Sequence, residues 1–376
     1  MGPGRTSDSL FLHTFLIFVF IIITANPLAV PTQRVAIVTG ASRGIGKGIA
    51  LELGKAGFAV HCLGRSSRNS NSDPNDDMGV YRRLPKDEEL NVERTAEQVK
   101  ELGGRGVPHV CDCAVDGEVE EKIKQIAASE GRLDCLVCCA YSVPSQKLRD
   151  DFWNQGLEMW DAVNGVGLRS VYASCLAAAT SMIETAKLQT PSDPPPLMCL
   201  VSSFGGKSYT FNVAYGVGKA AVDRLASDMS LQLRKHDVAT VSLYPGLVKT
   251  EANLEMVKMG TWGEASGNLD LSAGETTRFS GKGLVELLSL DNARMMERSG
   301  TVQVVAELAG EFGFNDDDGK RPASIRSLQY LLPNFVFPQI ERADSGKEIP
   351  DWLKNNIPNV LLPWSVFSAG PPPEKK

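Results

Sequence analysis

Three side chains in the second half of the chain have the types and spacing of a proton-transfer site. Tyr215 and Lys219 stand at i and i+4, so on a helix the phenol and the ammonium share one face. A free phenol has a pKa of about 10, too high for acid–base work near neutral pH. An ammonium ~4 Å away contributes on the order of 4 kcal/mol at an effective dielectric of ~20, enough to lower that value by about three units. Such a tyrosine gives a proton to a carbonyl oxygen as hydride arrives at the carbon, or removes one from an alcohol. Ser202, thirteen residues before Tyr215, ends an apolar run where its hydroxyl holds the substrate oxygen, with its neighbour Ser203 as the alternative. A Tyr-x-x-x-Lys is common, so the rest of the chain must supply a hydride source and a frame.

The hydride source is read from Thr39-Gly40-Ala41-Ser42-Arg43-Gly44-Ile45-Gly46, which follows one apolar run and opens a segment with helical spacing. Gly40 permits a tight turn, Gly44 lets backbone approach a pyrophosphate, and Gly46 lets helix and strand pack closely. Free N–H groups from Gly40 to Gly46, with Ser42, Arg43 and Ile45 between, then meet phosphate oxygens at the positive end of the helix. Where an acidic residue would bond a ribose 2′-hydroxyl, the chain has Gly64-Arg65-Ser66, with Arg43 nearby. Two cations and a hydroxyl around one phosphate favour NADP(H) over NAD(H).

These residues need an α/β frame, and the periodicity predicts one. Short apolar runs at 34–40, 58–64, 107–113, 133–139, 197–203 and 239–246 read as strands. Helical segments at 45–55, 92–102, 119–128, 160–184 and 219–234 separate them. Apolar strands alternating with helices give a doubly wound parallel sheet, the Rossmann fold, with ligands at the carboxyl ends of its strands. Residues 65–89 and 190–196 are polar, turn-rich excursions.

Hydrophobic residues at 43% and charged residues at 22% exclude a wholly disordered or collagen-like chain. A net charge of −6 lacks the basic face of a nucleic-acid binder. Cys135 and Cys138 form a C-x-x-C with no second pair and no histidine beside it. No metal site is expected, and the eight cysteines read as unpaired thiols of a reducing compartment. The uncharged stretch from Leu10 to Val30 approaches the ~20 residues that cross a bilayer, so residues 1–32 are expected to be a membrane anchor. A cleaved signal peptide is its rival. The catalytic domain is expected over 33–320. Residues 321–376 form an apolar, proline-broken extension that either packs on the domain or lies in a membrane interface.

The glycine turn, the strand-end serine and the Tyr-Lys pair, in this order, resemble the short-chain dehydrogenase/reductase superfamily over about residues 33–320. The resemblance implies that Asp112 holds adenine and that Pro245, Gly246, Val248 and Thr250 contact the nicotinamide amide. Four segments, at 131–141, 211–221, 241–251 and 275–282, resemble one member of that family more closely. This implies an NADPH-dependent carbonyl reductase associated with the endoplasmic reticulum. The chain departs from the family at two places. Cys138-Cys139-Ala140-Tyr141 replaces Asn-Asn-Ala-Gly, which softens support of the cofactor and narrows the pocket. Gly167 stands where an asparagine anchors a proton-relay water, and Asn164, one turn earlier, is its candidate substitute. The expected activity is hydride transfer between NADP(H) and a lipophilic carbonyl or alcohol, in a homo-oligomer. A dehydratase or epimerase of the longer branch, with T-G-x-x-G-x-x-G, and a cofactor-binding scaffold or redox sensor are the rival readings.

Overall fold

The computed structural model describes residues 33–68, 90–142, 150–343 and 348–367. The expected anchor at 1–32 lies outside them, as does most of the 65–89 excursion. Among the described residues seven strands form one parallel sheet: β1 (Val35–Thr39), β2 (Ala59–Gly64), β3 (Arg105–Val110), β4 (Cys135–Cys138), β5 (Leu197–Val201), β6 (Ala239–Tyr244) and β7 (Val302–Val304). Their order is β3-β2-β1-β4-β5-β6-β7. The order reverses between β1 and β4, and a crevice opens there beyond the carboxyl ends of the strands.

Burial explains why these runs became strands. Alternate side chains of β1 enter two separate cores, Ala36 and Val38 one face, Val35 and Ile37 the other. Helix α1 (Gly44–Lys55) and α2 (Val92–Glu101) cover the first face with Ile49, Leu53, Ala96 and Val99. The second is covered by α3 (Asp116–Glu130), by α5 (Ser170–Ala186) and by α6 (Val213–Leu233), while α4 (Phe152–Asn164), continued through a π turn at Gly165–Arg169 into α5, packs Met159 and Val163 against Ala214. After β6 come α7 (Glu251–Lys258), α8 (Trp262–Ser266), α9 (Thr277–Leu287), α10 (Asn292–Arg298) and α11 (Val305–Phe312).

Sequence periodicity erred at three places. β3 runs over Arg105–Val110 rather than 107–113, because its register is set by pairing on one side only, from Ala59↔Arg105 to Gly64↔Val110. Cys111 and Cys113 lie beyond its end, buried without being in the strand. β7 has three residues, too few to show a period. The helix expected at 160–184 starts at Phe152 and continues through the π turn. The run Phe152–Ala186 is long and apolar enough to cross a membrane, yet half of its most apolar window is buried inside the domain.

The extension beyond residue 320 packs on the domain at identifiable points. Arg326 makes two hydrogen bonds of 2.7 Å to the Glu307 carboxylate of the domain. The Trp364 ring meets Tyr244 edge to face, and Phe367 meets Phe204 at 4.9 Å. Trp352, Ile340 and Phe335 on the same segment are exposed.

One polar cluster sits on the sheet away from the crevice. His61 Nε2 faces the Glu130 carboxylate at 3.1 Å, and Glu130 pairs with Arg105. A carboxylate only accepts, so His61 Nε2 carries the proton, and its Nδ1 accepts from His109 Nε2 at 2.8 Å. Burial, reinforced by the proximity of His61, lowers His109 to about 4. The folded chain therefore binds fewer protons than the unfolded chain below the ordinary histidine value of ~6.5. Stability from this pair is complete above that value and is lost as pH falls toward 4. Thermal melts should show Tm falling by several degrees from about pH 7 to about pH 5, and His109→Gln should flatten that fall.

Candidate active site

The glycine turn is built as its sequence requires. Gly40 has φ +70°, and a Cβ there would lie 2.8 Å from the Ala140 Cα. A Cβ at Gly46 would collide with the Gly40 carbonyl oxygen, so the helix can start this close to the strand only with glycine. Gly44, at φ +57°, needs glycine for its backbone conformation, with the Thr250 methyl and the Glu251 carboxylate in van der Waals contact with where a Cβ would stand. Ser42 is buried, and the Ile45 side chain packs against the first core. The Gly44 N–H donates to the Glu251 carboxylate at 2.8 Å. That oxygen stands in for an anion at the amino end of α1, so the turn fits a pyrophosphate. Sequence reasoning missed Glu251, although it directly follows Thr250.

Around the ends of β2 and β3 the expected ribose and adenine residues come together. The Arg43 guanidinium donates to the Ser66 hydroxyl, and Arg65 Nε lies 3.9 Å from the Asp112 carboxylate. The 245–250 segment lies across the crevice from them. Val248 is buried, the Thr250 methyl flanks Gly44, and the Thr250 hydroxyl caps α7 by accepting from Asn253 N–H. Glu275 pins this segment, its N–H donating to Leu247 O and its carbonyl accepting from Lys249 N–H. Its carboxyl is fully buried under Pro245-Gly246, and burial raises it to about 8. It too escaped sequence analysis, since a lone glutamate gives no pattern.

Of the two serines the sequence offered, Ser203 is the one beside the Tyr215 hydroxyl. Asn212 caps α6 by accepting the Tyr215 N–H at 2.9 Å, which sets the tyrosine in the first turn. The Tyr215 hydroxyl donates to the Ser203 Oγ at 2.7 Å. Ser202 faces the other way, and its hydroxyl donates to the Lys219 backbone carbonyl at 3.1 Å. Consecutive residues of extended chain point to opposite sides, and a count of thirteen residues carries no information about side. Ser203 also opens the turn Phe204–Gly206, accepting from Gly205 N–H, so its hydroxyl is fixed twice. The extension reaches this turn through Phe367 and Trp364 against Phe204.

Lys219 is buried, and its ammonium donates to the Val201 carbonyl at 3.1 Å, at the end of β5. It lies 5.9 Å from the Tyr215 ring centroid and 4.5 Å from that of Tyr141. Burial lowers Lys219 to about 8. The three-unit lowering expected of the Tyr215 phenol is not found. Its pKa is raised, chiefly by burial, with the Ser203 bond opposing. The lysine turns toward the strand carbonyl instead of the phenolic oxygen. Phe211, at φ +59°, meets the Tyr215 ring edge to face at 5.1 Å, another contact the sequence did not announce.

The two family departures have visible surroundings. Thr39 Oγ1 accepts the N–H groups of both Cys139 and Ala140, at 3.1 and 3.2 Å, so backbone ties this segment to β1 whatever its side chains. Burial pushes the Cys139 thiol up to about 12. Asn164 closes α4 with its amide donating to Ala214 O at 3.4 Å, and Gly218 leaves room for its Oδ1. Gly167 lies in the π turn against the Tyr141 ring. Next to the first turn of α6, Phe152, Trp153, Leu157, Met159 and Trp160 line an apolar pocket of about 310 Å³ with Val213 and Ala214.

Comparison with known proteins agrees with this frame. Residues 34–72 match the short chain dehydrogenase family, and residues 84–269 match the family described as Enoyl-(Acyl carrier protein) reductase. The chain is 38% identical over 307 residues to Dehydrogenase/reductase SDR family member 1 of Mus musculus, covering 80% of this chain and 88% of that protein. The Homo sapiens protein of the same name is 37% identical over 336 residues, covering 87% and 93%. A short chain dehydrogenase from Mycobacterium paratuberculosis, solved with NAD, superposes with a TM-score of 0.57 at 20% identity, over 72% of this chain and 95% of that one. A metagenomic short-chain oxidoreductase solved with NADP gives 0.50 at 21%, over 70% and 94%. With a serine, a tyrosine and a lysine gathered at the crevice of a seven-stranded parallel sheet, and similarity of this extent, the chain belongs to the short-chain dehydrogenase/reductase family of oxidoreductases.

Proposed function

We propose that this chain interconverts a lipophilic carbonyl compound and its alcohol with NADP(H). The observation that carries the reading is the Tyr215 hydroxyl bonded to Ser203 at 2.7 Å with the buried Lys219 ammonium beside it. NADP(H), when bound, supplies or takes up the hydride. Tyr215 holds the proton at its phenolic oxygen and delivers it to the substrate oxygen, and the Ser203 hydroxyl orients that oxygen. The Lys219 ammonium stabilises the phenolate that delivery leaves behind. In the reverse direction the same phenolate removes the alcohol proton.

The turn from Gly40 to Gly46 takes the pyrophosphate, with Glu251 leaving the Gly44 N–H. Arg43, Arg65 and Ser66 take a 2′-phosphate, and Asp112 takes the adenine. Pro245, Gly246, Val248 and Thr250 take the nicotinamide amide. Preference for NADP(H) is supported by the absence of an acid in Gly64-Arg65-Ser66 and by the two guanidinium groups at the ends of β2 and β3. One solved neighbour holds NAD and another NADP, so the fold accommodates either.

The apolar pocket beside α6 supports a lipophilic substrate. The uncharged stretch within residues 1–32 supports attachment to a membrane, which we assign to the endoplasmic reticulum. Exposed Tyr172 and Leu176 on α5 and Val217 and Leu231 on α6 support self-association. A redox-sensor reading centred on the Cys138-Cys139 site is disfavoured by its buried thiols, with Cys138 held well above the ordinary value. Burial pushes Cys62, Cys135 and Cys139 up to about 12, and a protonated thiol is a poor nucleophile.

Full-length chain in detergent, assayed by NADPH absorbance with a panel of lipophilic ketones and aldehydes, should oxidise NADPH in preference to NADH. Arg65→Asp should lower kcat/KM with NADPH by about 30-fold and reduce that preference. Ser203→Ala should lower kcat by about 10²-fold, while Ser202→Ala stays within about threefold of the parent. NADPH bound without turnover, unchanged by Ser203→Ala, would favour a cofactor-binding scaffold instead. Equal loss in the two serine variants would contradict the assignment of Ser203.

A further inference from the structure

Tyr141 and Gly167, read from the sequence as two separate departures, form one structural exchange. A Cβ at Gly167 would overlap the Tyr141 ring, so the ring can lie where it does only with glycine in the π turn. The ring that glycine admits lies beside the proton-transfer pair. The Lys219 ammonium sits 4.5 Å from its centroid, and the Tyr215 ring meets it edge to face at 5.9 Å. Met159, Val163 and Ala214 pack with Tyr141 and hold it there. The Tyr141 hydroxyl is buried and has no hydrogen-bond partner among the described residues. Its contact with the pair is therefore made by the ring and not by the oxygen.

We propose that Tyr141 is a positioning residue, whose ring face holds the Lys219 ammonium against the Val201 carbonyl and beside Tyr215. This rests on the reading of Tyr215 and Lys219 as the proton-transfer pair. The negative face of an aromatic ring attracts a cation most strongly where water is excluded. Val201 O, at 3.1 Å, takes one ammonium proton and leaves the others without a comparably short oxygen partner among the described residues. The remaining titratable groups that face Lys219 are Cys139, Asp223, Tyr141 and Tyr215. The Cys139 thiol stays protonated, as burial pushes it to about 12. The Asp223 carboxyl is already engaged by the hydroxyls of Ser242 and Tyr244 and by Lys207. The ring is thus the contact whose removal changes the ammonium while leaving the charges around it in place.

Three variants of the full-length chain test this, with kcat and the pH profile of carbonyl reduction as one readout. The second readout is an NMR titration of the Lys219 side chain in chain labelled with 13C-lysine, which needs no substrate. Tyr141→Phe keeps the ring and should remain within about twofold of the parent in kcat, with its alkaline limb unmoved. Tyr141→Leu should lose about tenfold in kcat. Both the alkaline limb and the Lys219 titration should move to lower pH by about one unit, because an ammonium without its ring gives up its proton more readily. Gly167→Ala, which displaces the ring without deleting it, should shift both in the same direction. A Lys219 titration unmoved in Tyr141→Leu and Gly167→Ala would overturn the proposal, and so would Tyr141→Phe behaving like Tyr141→Leu. A chain that reduces no carbonyl yet shows the shifted titration would remove the catalytic reading while supporting the ring's hold on the ammonium.

Discussion

A buried ammonium governs this site. Taking the Lys219 charge out of water is costly, and burial accordingly lowers its pKa to about 8. It stays in place because the end of β5 presents the Val201 carbonyl and the 139–141 segment presents an aromatic face. Both partners are set by the sheet, the first by the length of β5, the second by where β4 releases the chain. The Ser202 hydroxyl also reaches the Lys219 carbonyl at 3.1 Å, one of several contacts between the end of β5 and α6. Tyr215, one turn earlier on α6, takes its place from the Asn212 cap and from the Ser203 hydroxyl.

The parallel frame was legible because buried strands are apolar on both faces and helices alternate with them. The Gly40–Gly46 turn was legible because each glycine answers a steric demand. Side was harder. Ser202 and Ser203 differ in nothing that composition or spacing records, and the direction of extended backbone decides between them. The expected lowering of Tyr215 failed for a related reason: an i, i+4 pair shares a face, but Lys219 found the strand carbonyl closer to hand. Glu251 and Glu275 were invisible because each acts alone, one as a carboxylate on the Gly44 N–H, the other as a buried brace under residues 245–249. Tyr141 and Gly167 were visible as departures, but their coupling needed coordinates, since they are 26 positions apart in the sequence.

The extension beyond residue 320 ties the far edge of the sheet to the site. Arg326 binds Glu307, while Trp364 and Phe367 press on Tyr244 and on Phe204. Phe204 directly follows Ser203, so the extension braces the turn that fixes the hydroxyl facing Tyr215. Its exposed Trp352, Ile340 and Phe335 leave an apolar surface that the domain does not cover. At Cys139 and Ala140 the backbone is held to β1 by the Thr39 hydroxyl, which accepts both N–H groups.

The central claim is that the Tyr215 oxygen carries the proton that accompanies hydride transfer. Its most direct measurement is the single-turnover rate of carbonyl reduction by NADPH-loaded Tyr215→Phe, with NADPH affinity followed by fluorescence. A fall of about 10³-fold in rate at unchanged affinity is the predicted result, the scale of a lost general acid. A rate within a few-fold of the parent would contradict the account.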